Sequence, residues 1–269
     1  MRYILLFIAI FTFSCKYNIS SPVGTIKDYS ANSGKLFYTS SGDSDDNIET
    51  TLKKNKHSLG IYKIVVLGGD STEILTNIKK VLNKNLSFDN VEIDLSQTEI
   101  PEIPKEMFTN TTNLGKITLP DTVKKIEESA FSGCSSLSYI RFSGSLTNIG
   151  TNAFSNCSAL TVLLLPDGLT TIEKCAFSGC SSLVNLFLPK SLTKIDNDAF
   201  KNCSQLKNLE YLGTKSDCSK LDNCQPFSSG SNLSNLYLPS MDGTSTNIID
   251  SNFLGRSWTT TNYGKHIPN

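Results

Sequence analysis

Phenylalanine returns along this chain at one fixed interval. Phe108, Phe131, Phe154, Phe177 and Phe200 stand 23 residues apart. Isoleucine lies five residues before each, at Ile103, Ile126, Ile149, Ile172 and Ile195, and leucine six after, at Leu114, Leu137, Leu160, Leu183 and Leu206. Alanine precedes the ring in four copies (Ala130, Ala153, Ala176, Ala199). Cysteine follows three residues later in four (Cys134, Cys157, Cys180, Cys203). Apolar residues two apart come next: Ile117/Leu119, Ile140/Phe142, Leu163/Leu165, Leu186/Leu188 and Leu209/Tyr211, with Pro120, Pro166 and Pro189 closing three of these stretches. A two-residue alternation is that of a strand with one face buried. One such coil cannot bury its own apolar side. Stacked coils can, as columns of Ile, Phe and Leu, with their strands joined in a parallel sheet at a spacing of about 4.8 Å.

The unit reads I-x-x-x-A-F-x-x-C-x-x-L-x-x-L-x-L-P-x-x-L-x-x, and the octapeptide Ala-Phe-Ser-Gly-Cys-Ser-Ser-Leu occurs at 130–137 and again at 176–183. The period lies within the roughly 20 to 29 residues of leucine-rich repeats. In this motif, and in placing proline after the strand where the usual repeat has asparagine, the chain resembles the BspA type, also called the treponemal type, over about residues 91–254. That resemblance implies an α/β solenoid with a parallel β-sheet on its concave face. It also implies a surface or periplasmic protein of bacteria, and several such proteins are adhesins for host matrix proteins. The family brings no catalytic residues, no cofactor and no fixed ligand motif.

Later copies drift. Phe227 lies 27 residues after Phe200, placing an insertion near Lys215 to Asn223, and its strand reads Leu236-x-Leu238-Pro239. Phe253 follows 26 residues further on, preceded by Ile248, after which no leucine pattern returns. The solenoid is therefore expected over 91–255, with 256–269 as a tail whose Trp258 and Tyr263 cover the open end. At the other end, 59–90 reads as a strand-helix cap. Ile61–Leu67 is its strand, Asp70 with Glu73 resembles a capping box, and Ile74, Leu75, Ile78, Val81 and Leu82 form one helix face.

Residues 1–14 have the form of a secretory signal, a charged start and an apolar run from Tyr3 to Phe13 that is too short to span a bilayer. Ser14-Cys15 resembles the cut site of a bacterial lipoprotein, which implies lipidation of Cys15 and a membrane anchor. A plain signal peptide beside an unmodified cysteine is the alternative, and both export the chain. Residues 15–58, rich in Ser, Asn, Asp, Lys and Gly, read as a flexible tether with a short helix around Ile48 to Asn55. Lys+Arg and Asp+Glu are both 25. That balance lacks the basic surplus that nucleic acid requires.

Outward positions of the strands form two rows. One is Lys116, Tyr139, Val162, Asn185, Asn208 and Asn235; the other is Thr118, Arg141, Leu164, Phe187, Glu210 and Tyr237. Tyr139, Val162, Leu164 and Phe187 would make an apolar cluster with Arg141, Asn185, Glu210 and Tyr237 around it, a candidate site for a protein ligand. Repeat drift among good strand formers would place the same residues there, and a flanking loop could cover them. The ladder cysteines read as buried thiols, Cys175 as a surface thiol, and Cys218 with Cys224 as a candidate disulfide. No C-x-x-C pair marks a metal site. His57 and His266 lie outside the repeats and read as surface or linker histidines. With no histidine in the repeats and no recurring carboxylate or Ser/Lys group, catalysis is not expected. Two functions remain: an adhesive binding module, surface-exposed rather than periplasmic, or a structural and assembly protein of the bacterial envelope.

Overall fold

A computed structural model describes residues 38–268 apart from 41, 70–71, 219–220, 222–223, 229, 242–252 and 256–257. The expected leader, Cys15, the first part of the tether, Asp70 and Ile248 lie outside the described residues, as does the side chain of Cys218.

The alternating stretches form parallel strands. β1 (Thr39–Ser40), β2 (Lys63–Leu67), β3 (Val91–Gln97), β5 (Leu114–Thr118) and β7 (Tyr139–Arg141) make one five-stranded sheet. β9 (Val162–Leu164), β11 (Asn185–Leu188), β13 (Asn208–Tyr211), β14 (Asn235–Leu238) and β15 (Thr260–Tyr263) make a second. The isoleucines ahead of each phenylalanine lie on short strands that pair in a third sheet: β4 (Glu102–Ile103), β6 (Lys125–Ile126), β8 (Asn148–Ile149), β10 (Thr171–Ile172) and β12 (Lys194–Ile195). Register is kept at one full period, as in Ile126↔Ile149 and Leu186↔Leu209. This is the leucine-rich-repeat solenoid expected from the period.

Between the sheets runs a file of rings. Successive centroids from Phe108 to Phe227 lie 5.3, 5.0, 5.2, 5.2 and 5.5 Å apart, and the middle pairs are parallel to within 3 to 6°. Beside it runs a file of thiols. The Sγ atoms of Cys134, Cys157, Cys180 and Cys203 donate to the carbonyls of Phe108, Phe131, Phe154 and Phe177 at 3.0 to 3.3 Å. Each cysteine thus serves a buried backbone acceptor in the preceding coil. Burial pushes the Cys134 and Cys203 thiols up to about 12, and Cys157 and Cys180 well above their ordinary value. These thiols stay protonated and unreactive.

A turn after each phenylalanine needs the left-handed backbone region. Asn110, Gly133, Asn156, Gly179, Asn202 and Gly230 hold it in turn, with φ of 58, 75, 60, 76, 59 and 72°. Each glycine also leaves room for the asparagine of the coil before it. A Cβ placed on Gly133, Gly179 or Gly230 would run into the Oδ1 of Asn110, Asn156 or Asn202 in the coil before it.

The cap is larger than the sequence reading. Helix α1 (Asp45–Leu59) is packed, not part of a tether. Ile48, Thr51, Leu52 and Asn55 bury one face at helical spacing, and Asn55 Nδ2 donates to the Lys63 carbonyl at 2.7 Å. The folded unit therefore starts by Thr39. Helix α2 (Glu73–Lys84) buries the expected face of Ile74, Leu75, Ile78, Val81 and Leu82. Its N-cap is Thr72, with no side-chain cap bond, so Glu73 is the first helical residue and the expected capping box is not its start. At the far end, part of the inserted segment forms a helical turn, α3 (Lys215–Cys218). The tail is more than a cover: β15 adds a full strand, with Tyr263 in register with Leu238. Trp258 and Tyr263 pack against the core, as expected.

Candidate protein-binding face

Outward side chains of the long strands fall into two rows, as alternation requires. Paired registers run Lys63, Glu92, Lys116 and Tyr139, then Val162, Asn185, Asn208, Asn235 and Thr260. The second row runs Asp94, Thr118 and Arg141, then Leu164, Phe187, Glu210, Tyr237 and Asn262.

Both rows are interrupted at the same place. No strand pairing and no backbone hydrogen bond joins β7 to β9. Phe142 follows β7 at this break. It takes the inward position held by Leu119, Leu165 and Leu188 in neighbouring coils, and its ring stands edge-on to Phe154 at 5.8 Å and 82°. Beside it Ile140 is half-buried, while Leu163 in the next coil is buried. Ser143 and Gly144 follow where other coils place proline.

Around this break the face is open and apolar. Tyr139, Val162 and Leu164 are 49, 50 and 68% exposed. Arg141 borders them, held by Asp121 Oδ1 at 3.3 Å and the Leu119 carbonyl at 3.3 Å. On the cap side the face is charged, with Lys116 2.7 Å from Glu92 and Lys63 4.0 Å from it.

The distal part differs. Asn208 Nδ2 donates to Asn185 Oδ1, and Asn235 Nδ2 to Asn208 Oδ1, both at 2.8 Å, so three amides are linked across three strands. Phe187 and Tyr237 are half-buried. Glu210, expected on the open surface, is 3% exposed. The tail covers it: His266 Nδ1 lies 2.6 Å from Oε1, and the Ile267 N–H donates to Oε2 at 2.8 Å. This corrects one expectation, since Glu210 is not available to solvent; His266, with its side chain mostly exposed and its ring nitrogen on Glu210, is a satisfied surface histidine. Sequence spacing carried no sign of this contact, because Glu210 and His266 are 56 residues apart and outside any period.

Of the eight residues read from the sequence, the structure thus gathers Tyr139, Val162 and Leu164 with Arg141 on the open part. It places Asn185, Phe187 and Tyr237 on the distal part and encloses Glu210. Cys175 is half-buried. The expected Cys218–Cys224 pair involves a side chain outside the described residues.

A family model described as "BspA type Leucine rich repeat region" matches in six copies, over residues 101–225 and 163–268. Among solved structures, the chain is similar to the Treponema pallidum leucine rich repeat protein TpLRR, at 25% identity over 64% of this chain and 72% of that one, with a TM-score of 0.45. It is similar to a leucine-rich repeat protein from Bacteroides ovatus at 23% identity, covering 63% and 45%, TM-score 0.43. The pneumococcal vaccine antigen PcpA matches at 18%, covering 65% and 42%, TM-score 0.45. This chain thus spans less than half the length of the last two. No curated protein matches it.

Proposed function

Since the chain belongs to the BspA-type leucine-rich-repeat family, we propose that it is an exported, lipid-anchored adhesion module with no catalytic role, whose concave sheet takes a protein partner. Cys15 carries the lipid, and the partner is a host matrix protein or another cell-surface protein. The observation that carries this reading is the open apolar group of Tyr139, Val162 and Leu164 at the sheet break, bordered by Arg141. Soluble proteins seldom leave neighbouring large apolar side chains open to water, and binding energy concentrates in such centres with a polar surround.

Binding of the exported chain to immobilised matrix proteins and bacterial surface proteins tests it, with wild type set against Leu164→Asp. The expected result is at least a tenfold loss of affinity with an unchanged melting temperature; equal binding rejects this face. Lipid labelling of wild type against Cys15→Ala tests the anchor. Protease access on intact cells separates surface display from the assembly role in the periplasm, for which full protection is the expected result.

A further inference from the structure

The distal end of the same sheet holds a buried carboxylate whose hydrogen-bond partners, His266 and Ile267, come from the segment after β15. Charged side chains are almost never buried unless paired, and Glu210 projects from the outward row of β13, between Phe187 and Tyr237. After β15, Gly264 takes a positive φ of 64° and turns the chain. From there to Glu210 the tail crosses β14, a distance of two strand spacings, or about 10 Å. Three or four extended residues cover it. His266 and Ile267 arrive at the two carboxylate oxygens. Ile267 is 9% exposed yet stands apart from the interior cluster. It is therefore covered on the outside of the sheet.

We propose that Glu210, with Phe187 and Tyr237 beside it, is a peptide-binding subsite that the chain's own tail occupies in place of a ligand. The ligand it fits is an extended segment carrying a basic residue followed by an aliphatic one, the order in which Lys265, His266 and Ile267 stand. The carboxylate accepts one bond from the basic side chain and one from the next backbone N–H, and the aliphatic side chain leaves water against the sheet. A tethered segment has an effective concentration in the millimolar range, so the tail masks the subsite until a tighter or multivalent segment displaces it. The proposal rests on the sheet being the binding face, but its test needs no natural partner.

The probe is a fluorescein-labelled peptide of residues 264–269, titrated against the full chain by fluorescence anisotropy. The wild-type tail excludes the probe. Ile267→Asp in the protein unseats the tail, and the probe then binds at least tenfold more tightly than to wild type. Adding Glu210→Gln to that protein reverses the gain by at least tenfold, and a probe with aspartate in place of its isoleucine does not bind. If Ile267→Asp lowers the melting temperature, the His266→Ala/Ile267→Ala protein takes its place. Equal binding to wild type and a folded tail variant, no binding to either, or indifference to Glu210→Gln overturns the proposal. Loss of partner binding in Leu164→Asp with no probe binding here rejects the subsite and keeps the face; the opposite pair of results rejects the face and keeps the subsite.

Discussion

Phe154 and Leu164 belong to the same coil, one in the ring file and one on the outer face of the sheet. Every coil from Phe108 to Phe227 repeats the first, and no neighbouring coil repeats the second. An interior position is touched by its own copies above and below, so a change there is felt in three coils. An outward position meets water or a partner. The interior thus settles what stacks, and the face is free to settle what binds.

The largest effect expected from this contrast is in the ring file. Phe154→Ala removes a ring stacked on both sides and touched edge-on by Phe142. It should cost about 3 to 5 kcal/mol in chemical denaturation. A loss under about 1 kcal/mol would show that coils do not depend on one another.

Gly133→Ala comes next, at about 1 to 3 kcal/mol, because it adds a Cβ at positive φ and drives it into Asn110. Adding Asn110→Gly should recover part of this, a coupling above about 0.5 kcal/mol in a double-mutant cycle. Strict additivity would break the steric account.

Cys157→Ala leaves the Phe131 carbonyl without its thiol donor and should cost about 1 kcal/mol. In the folded protein, thiol reagents should label Cys175 ahead of the four ladder cysteines.

Away from the spine, effects shrink. The Glu49 carboxyl is held at about 2 by the Lys53 hydrogen bond first, then by Asn85 and Lys84. Its folded value lies below its unfolded one, so its contribution is present above about pH 4.5 and lost as pH falls toward 2. Glu49→Gln should lower the melting temperature slightly at pH 6, with the difference gone by pH 2. Least of all, Leu164→Asp should change stability by no more than about 0.5 kcal/mol while weakening partner binding tenfold. Equal stability losses at Phe154 and Leu164 would erase the contrast between file and face.

What the sequence discloses follows the same division. The Ile, Ala, Phe, Cys and Leu columns were legible because each is repeated at one interval, and all are buried. A short helix around Ile48 to Asn55 was legible, but not the packing of α1, because its polar average hides the buried spacing of Ile48, Thr51, Leu52 and Asn55. β15 was missed because Thr261 and Tyr263 fill the leucine positions. The outward rows were legible as rows, since alternation alone places them. Their division was not. The break between β7 and β9 has no residue column behind it, since the ring of Phe142 at the break has a counterpart in Tyr211 where pairing continues, and the covering of Glu210 rests on a contact with no periodic counterpart.

The alternation of asparagine and glycine in the turn column has a consequence for how such a chain grows. Losing the coil that bears Gly133 or Gly179 would set two asparagines against each other, with a Cβ where a side-chain oxygen already sits. Gain or loss of two coils at once keeps the order intact. The identical octapeptides at 130–137 and 176–183 are spaced by such a pair, twice the 23-residue period.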